Sequence, residues 1–264
     1  MTEVHTSFDP GYFQSLFEAE EKHFWFRGRN RVINNLVGRI CQDQPDGFKM
    51  IEVGCGTGNV IKSLQPVCER GHLIGLDLHY RGLALASRRV SCDLILGDIN
   101  APPFTSGLSI VGLFDVIEHL PDDGAILKSV QESLTDRGWM IISVPALPGL
   151  WSYFDVAAHH VRRYTRQDLA RVITEAGFEV KYISFFMMAI LPFIWMERKL
   201  SKGGVDAPAP ETELDQRVSQ ELRIMPVINE VFSAFLWLEA QLIQARIRLP
   251  IGSSLIAIAR KRAG

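Results

Sequence analysis

The stretch Ile51-Glu52-Val53-Gly54-Cys55-Gly56-Thr57-Gly58-Asn59 constrains this chain more than any other part of it. An apolar strand runs into three alternating glycines and then into a helical pattern, so the backbone must turn sharply between the two. Glycines suit such a turn because a side chain would hold a ligand away from the backbone, while the following helix offers free N–H donors at its N-terminus. A tight turn alone would also use glycine, but the strand before it and the helix after it favour a ligand cradle.

The remaining sequence repeats that alternation. Residues 50–53, 73–76, 94–96, 109–114 and 139–144 read as short strands, each apolar enough to be buried on both faces. Helical patterns at 59–69, 82–90 and 123–134 connect them, the rhythm of parallel βαβ units. A helical segment at 12–41 precedes the first strand. Thr165-Arg166-Gln167-Asp168 predicts a capping box opening a helix that closes at Gly177, followed by a sixth strand at 178–184 and a last short strand at 255–259.

The expected organisation is one α/β unit from residues 1–184 and 251–264, with an N-terminal helical lid over 1–45. Residues 185–250 form an apolar helical insertion before the last strand. Within it, the Gly-, Pro- and acid-rich run 201–216 reads as a loop, and Ile228, Val231, Phe232, Phe235, Leu238, Leu242 and Ile243 recur at helical spacing.

Composition removes several alternatives. A formal net charge of -2 over 264 residues gives no attraction to polyanions, so nucleic acid is not an expected partner. Cys41, Cys55, Cys68 and Cys92 form no CxxC pair, which suggests neither a zinc site nor a disulfide framework. The N-terminus lacks the basic start and apolar run of a secretory signal. The longest apolar stretch, 185–196, is interrupted by Pro192 and falls short of the roughly 18 residues of a spanning helix. The cytoplasm is the expected location, with peripheral contact at the inner face of the membrane as a further reading.

Asp77 ends the second strand about twenty residues after the glycines, where an acid can accept both hydroxyls of a ribose. A nucleoside-bearing ligand follows. An NAD fingerprint would place a third glycine where Asn59 stands, which disfavours a dehydrogenase.

With Glu52-Val-Gly-Cys-Gly-Thr-Gly58, Gly75-Leu-Asp77, Gly97-Asp98-Ile99 and Asp115-Val-Ile-Glu-His-Leu-Pro121 in order, the chain resembles the class I S-adenosylmethionine-dependent methyltransferases, bacterial small-molecule and glycan enzymes similar to the ubiquinone-biosynthesis group. The likeness covers roughly residues 23–183. It implies a Rossmann-like seven-stranded sheet of order 3-2-1-4-5-7-6, its last strand antiparallel, with helices on both faces. It also implies S-adenosylmethionine as cofactor. By this likeness Glu52, Gly54, Gly56 and Gly58 line the methionine and ribose side, Asp77 and Leu78 the ribose, and Asp98 and Ile99 the adenine. Phe114 and Asp115 lie under the methionine portion. The upstream segment from Glu21 to Arg31 resembles an N-terminal lid in which Arg29 clamps the cofactor carboxylate while Trp25 and Phe26 exclude water.

Two places offer acceptor chemistry. His119 follows Glu118 at the mouth of the fourth strand, and an unperturbed imidazole pKa of roughly 6.5 suits proton removal near neutrality. The segment Ala158-His159-His160-Val161-Arg162-Arg163-Tyr164 follows the fifth strand and resembles the family's GHxRRYT run. His119 and His160 are the candidate bases; His159, Arg163 and Tyr164 are candidate acceptor contacts, with loop anchoring as the plainer role for Arg163 and Tyr164. Asp115, Glu118, Asp122 and Asp123 near strand four could be taken for the carboxylates of a metal site, but Asp122 and Asp123 read more simply as caps of the next helix, so no metal is expected.

The expectation is methyl transfer to a small, hydrophobic or lipid-linked metabolite such as a quinone-like molecule or glycan. A module that binds the cofactor and acts through partners is the alternative. The 185–250 segment is expected to close an acceptor pocket, pair with a second copy or rest on lipid.

Overall fold

A computed structural model describes residues 13–101, 106–200 and 224–262. Seven strands form one sheet of order β3-β2-β1-β4-β5-β7-β6, as the resemblance implies. The strands are β1 Lys49–Val53, β2 His72–Asp77, β3 Asp93–Leu96, β4 Leu108–Phe114, β5 Leu134–Pro145, β6 Phe178–Phe186 and β7 Ser254–Lys261. The first five run parallel, and β7 lies antiparallel between β5 and β6. Central strands such as Ile110–Leu113 and Met140–Val144 are buried throughout because helices cover both faces. Parallel pairing gathers the C-terminal ends of β1, β2, β3, β4 and β5 at one edge, where ligands of open α/β sheets bind.

The helices are α1 Phe13–Ala19, α2 Phe24–Gln42, α3 Asn59–Leu64, α4 Tyr80–Ala86, α5 Asp123–Ser133, α6 Tyr153–Ala157, α7 Arg166–Glu175, α8 Leu191–Leu200 and α9 Pro226–Gln244. The single N-terminal helix of the sequence reading is two, because His23 caps α2 by accepting a hydrogen bond from the Trp25 backbone N–H at 3.2 Å. The helices after β1 and β2 are shorter than expected. β5 is longer, starting at Leu134, since a left-handed Arg137 with φ 60° carries an irregularity between its pairing at Leu134 and at Trp139. Thr165 caps α7 as predicted, accepting from the Asp168 N–H at 3.0 Å, and Asp168 in turn accepts from the Thr165 hydroxyl at 2.6 Å.

The segment after β6 returns to the N-terminal helices. α9 buries Leu236, Ala240 and Ile243 along α2, and Gly28 permits that approach: a Cβ there would stand 2.7 Å from Leu236 Cδ1. Asn229 fastens the same corner, accepting from the Phe24 N–H at 2.8 Å. The loop expected at 201–216 lies outside the described residues. Among the described residues no helix is long and apolar enough to cross a membrane.

Candidate active site

The cradle is built where β1 hands over to α3. Gly54, Gly56 and Gly58 have φ of 72°, 50° and 76°, the left-handed region that L side chains rarely occupy. A Cβ at Gly58 would also meet Ala86 Cβ at 3.0 Å, and one at Gly54 would meet Val116 at 2.7 Å. Asp77 clamps this turn from the end of β2: Oδ2 accepts from the Gly56 N–H and Oδ1 from the His79 N–H, both at 2.7 Å. Each oxygen keeps a lone pair for a ribose hydroxyl. Burial raises the Asp77 pKa, partly offset by those two N–H donors.

Glu52 and Arg29 converge beside the cradle. Glu52 is wholly buried, its Oε2 has no hydrogen-bond partner, and burial pushes its carboxyl well above the usual range against the pull of nearby Arg29. Arg29 donates to Asp115 Oδ2 at 2.8 Å and lies 4.9 Å from the Trp25 ring centroid and 5.5 Å from that of Phe26, yet its Nε has no partner. Asp115 is itself left-handed at φ 59° and accepts from the Ser143 hydroxyl at 3.0 Å. One unfilled buried donor and one unfilled buried acceptor fit the carboxylate and ammonium of an amino-acid moiety.

The other cofactor candidates are distributed unevenly. Asp98, after β3, accepts from the backbone and side chain of Asn100 at 2.9 and 2.7 Å; Ile99 is buried, and Leu78 is exposed at the cradle rim. Phe114 lies in the core, folded back along β4 over Gly112. No sequence signal marks the latch that holds α1 over this edge. In it, buried Arg89 pairs with Glu20 at 2.7 Å and stacks 3.8 Å from the Phe17 centroid, while the Thr57 hydroxyl donates to Glu20. Glu20, Thr57 and Arg89 are far apart in sequence, and only the fold joins them.

Where the sequence reading expects acceptor chemistry, the short turn Ile117–His119 after β4 meets the segment following α6. The His119 and His160 rings are edge to face, 4.8 Å between centroids. His160 Nδ1 is 2.9 Å from Asp155 Oδ1, which also accepts from Arg163 Nε at 2.6 Å. These partners hold the Asp155 carboxyl below its ordinary pKa against a burial effect of opposite sign. Burial, assisted by His160, lowers the His119 pKa to about 4, so its imidazole is neutral through the physiological range. Glu118 is completely buried with neither oxygen partnered, and its pKa is raised well above the carboxylate range, by burial first and then by Asp115.

Arg163 and Tyr164, the candidate acceptor contacts, are engaged within the chain, as the loop-anchoring alternative expects. Arg163 is spent on Asp155 and on the Ala146 carbonyl at 3.0 Å; Tyr164 is buried and donates to Asp123 at 2.6 Å. Both anchor the segment. His159 is exposed at the rim with φ 55°.

Fold and cradle together define a class: a Rossmann-like protein built to hold an adenosyl group and an amino-acid moiety at the C-terminal edge of a parallel sheet. The comparisons make this more particular. Residues 22–183 match the model of the methyltransferase domain family, and the chain belongs to that family, the class I S-adenosylmethionine-dependent methyltransferases. It is 27% identical over 165 residues to a Mycolicibacterium smegmatis protein whose name reads "probable S-adenosylmethionine-dependent methyltransferase", a match covering 61% of this chain and 62% of the relative. It is 27% identical over 120 residues to a ubiquinone biosynthesis O-methyltransferase of Leptothrix cholodnii, covering 42% and 48%. The chain therefore spans about half to three fifths of the length of these relatives. In fold it is similar to a Haemonchus contortus phosphoethanolamine N-methyltransferase 2 solved with S-adenosyl-L-methionine. The TM-score is 0.55 at 15% identity, over 86% of this chain and 52% of that one.

Proposed function

We propose that the chain methylates a hydroxyl of a small, hydrophobic or lipid-linked metabolite, using S-adenosylmethionine. The observation that carries this reading is the His119–His160 pair beside the cradle, with His160 oriented by a buried carboxylate, the arrangement a proton acceptor needs. When bound, the cofactor supplies a methyl carbon activated by positive sulfur. The chain's own residues then have two tasks, alignment and management of the acceptor proton.

Alignment falls to the cradle, Asp77, Glu52 and Arg29, while Trp25 and Phe26 place aromatic faces near the site of a cation. His160, oriented by Asp155, is the group placed to take the acceptor proton; the lowered pKa that keeps His119 neutral also makes it a poor proton acceptor. Nitrogen and carbon acceptors are the weaker readings, since a base beside the methyl group serves oxygen best. The name of the Leptothrix relative supports oxygen as well.

The apolar surface supports a hydrophobic acceptor. Phe193, Trp195 and Met196 on α8 and Val231, Phe235, Trp237 and Leu238 on α9 are exposed, and the two helices meet through Phe193 and Phe232, 5.0 Å between ring centroids. This apolar face suits an acceptor pocket wall, a lipid surface or a second copy. The test is to incubate the protein with S-adenosylmethionine and apolar or polyprenylated phenols, with water-soluble phenols in parallel, and to measure S-adenosylhomocysteine. Turnover favouring the apolar acceptors is expected. Cofactor binding without product, even with cell-extract fractions, would overturn the enzyme reading and leave a binding module.

A further inference from the structure

We propose that Glu118, His119 and His160 form a binding site for one divalent first-row transition-metal ion at the mouth of β4. The sequence reading set aside Asp115, Glu118, Asp122 and Asp123 as metal ligands, and Asp122 does cap α5, accepting from the Ala125 N–H at 2.9 Å. The site lies one turn earlier in the chain.

Potential ligand atoms of the three residues lie within 4.8 Å of one another. Ligands about 2.1 Å from a common ion stand roughly 3.4–4.2 Å apart, so small rotations complete the site. Glu118 supplies the independent evidence. Its carboxyl is completely buried, neither oxygen has a partner, and Asp115 is close enough to disfavour its charged form. A carboxyl buried with both oxygens unpartnered is a group kept ready for a ligand, and a bound cation would favour its charged form. Arg29 and Arg163 are near enough to attract it, but each is ion-paired elsewhere, Arg29 with Asp115 at 2.8 Å and Arg163 with Asp155 at 2.6 Å, and neither hydrogen-bonds Glu118.

The two histidines are prepared as ligands. Asp155 holds His160 through Nδ1, which leaves Nε2 for the ion, the carboxylate–histidine–metal relay of many metal sites. His119 is engaged with the His159 backbone, while its Nδ1 is buried without a partner. Two imidazoles and one carboxylate select zinc and its first-row neighbours over magnesium or calcium. Three protein ligands also leave a coordination position open.

That open position suits the acceptor hydroxyl, a use that rests on the methyltransferase reading, whereas the site itself rests on the geometry. The bound hydroxyl loses its proton to water; its oxygen bonds the methyl carbon as the carbon–sulfur bond breaks, and the electron pair of that bond stays on sulfur as neutral S-adenosylhomocysteine. With the ion bound, the two histidines serve as ligands and the proton passes to water; without it, His160 remains the candidate base.

Titration of the chelator-stripped full chain with Co2+, followed by visible absorption and by metal analysis after gel filtration, tests the site. One Co2+ per chain, displaced by Zn2+, is expected. Glu118→Gln, His119→Ala and His160→Ala should each lose this binding, and Asp155→Asn should weaken it about 10- to 100-fold. S-adenosylhomocysteine affinity, measured by calorimetry, should persist in all four and so report an intact fold. Absence of stoichiometric metal, or unchanged Co2+ affinity in both histidine variants, would overturn the site. Metal binding without methylation of any hydroxyl would leave the site standing and remove only the functional reading. Methylation that survives stripping, with no metal bound, would do the opposite.

Discussion

Arg29 on α2 and Asp115 at the end of β4 lie 2.8 Å apart, so one ion pair joins the N-terminal helices to the strand whose end faces the cofactor cleft. Both residues are largely shielded, and the Arg29 side chain is only 10% exposed. Such a pair, unlike one on the surface, resists screening.

Removing Arg29 should therefore act on the cofactor first. A charged hydrogen bond contributes about 1.5–3 kcal/mol, so Arg29→Ala is expected to weaken S-adenosylhomocysteine binding about ten- to a hundredfold. Arg29→Lys keeps the charge without the planar fork and should recover only part of it. Calorimetry of the three proteins decides this; equal affinities would show that the unfilled Arg29 Nε does not meet the ligand.

Asp77 holds the glycine turn through two backbone N–H groups in addition to any ribose contact. Asp77→Ala should raise the S-adenosylmethionine KM at least about tenfold while kcat at saturation falls much less, because a bound cofactor still meets the same acceptor. Asp77→Asn keeps one carbonyl oxygen and should lie between. Steady-state kinetics separates these; a loss confined to kcat would place Asp77 in the chemistry instead.

Glu52 predicts a pH signature. Its folded pKa is raised above the unfolded value, so its charge destabilises the ligand-free protein increasingly as pH rises through and above the ordinary carboxylate range. Glu52→Gln removes that cost, and the variant should melt higher than the parent, with a gap that widens from pH 5 to pH 8 at about 2–4 °C per kcal/mol. Its S-adenosylhomocysteine affinity should fall. Thermal melts across that range would refute the argument if the gap stayed constant or the variant melted lower.

The sheet was legible because parallel strands buried on both faces must be apolar runs; Ile110–Leu113 and Ile141–Val144 are such runs. The first half of β5 was not, because Thr135, Asp136 and Arg137 are polar and exposed and the turn at Arg137 is left-handed. The cradle was legible from its glycines, whose backbone conformation few other residues could take. The Glu20–Thr57–Arg89 latch was hidden, since it needs the residues just after α1, just before α3 and just after α4 to meet in space. Arg163 and Tyr164 were visible as residues, but their inward direction is set by Asp155 and Asp123, which no spacing rule connects to them.

His160 and Asp155 give the last prediction. Asp155 Oδ1 lies 2.9 Å from His160 Nδ1, fixing which nitrogen of the ring faces the cleft, and it also serves Arg163. His160→Ala should lower kcat about 100-fold or more, the scale of a lost proton-transfer or activating group, with cofactor affinity changed by less than about threefold. Asp155→Asn should lower kcat by a smaller factor, because the ring remains but is poorly oriented. Asp155→Ala would also release Arg163 and loosen the segment. Turnover and S-adenosylhomocysteine titration of the His160→Ala and Asp155→Asn proteins form the check, and an unchanged kcat in His160→Ala would exclude the ring from the reaction as base and as metal ligand alike.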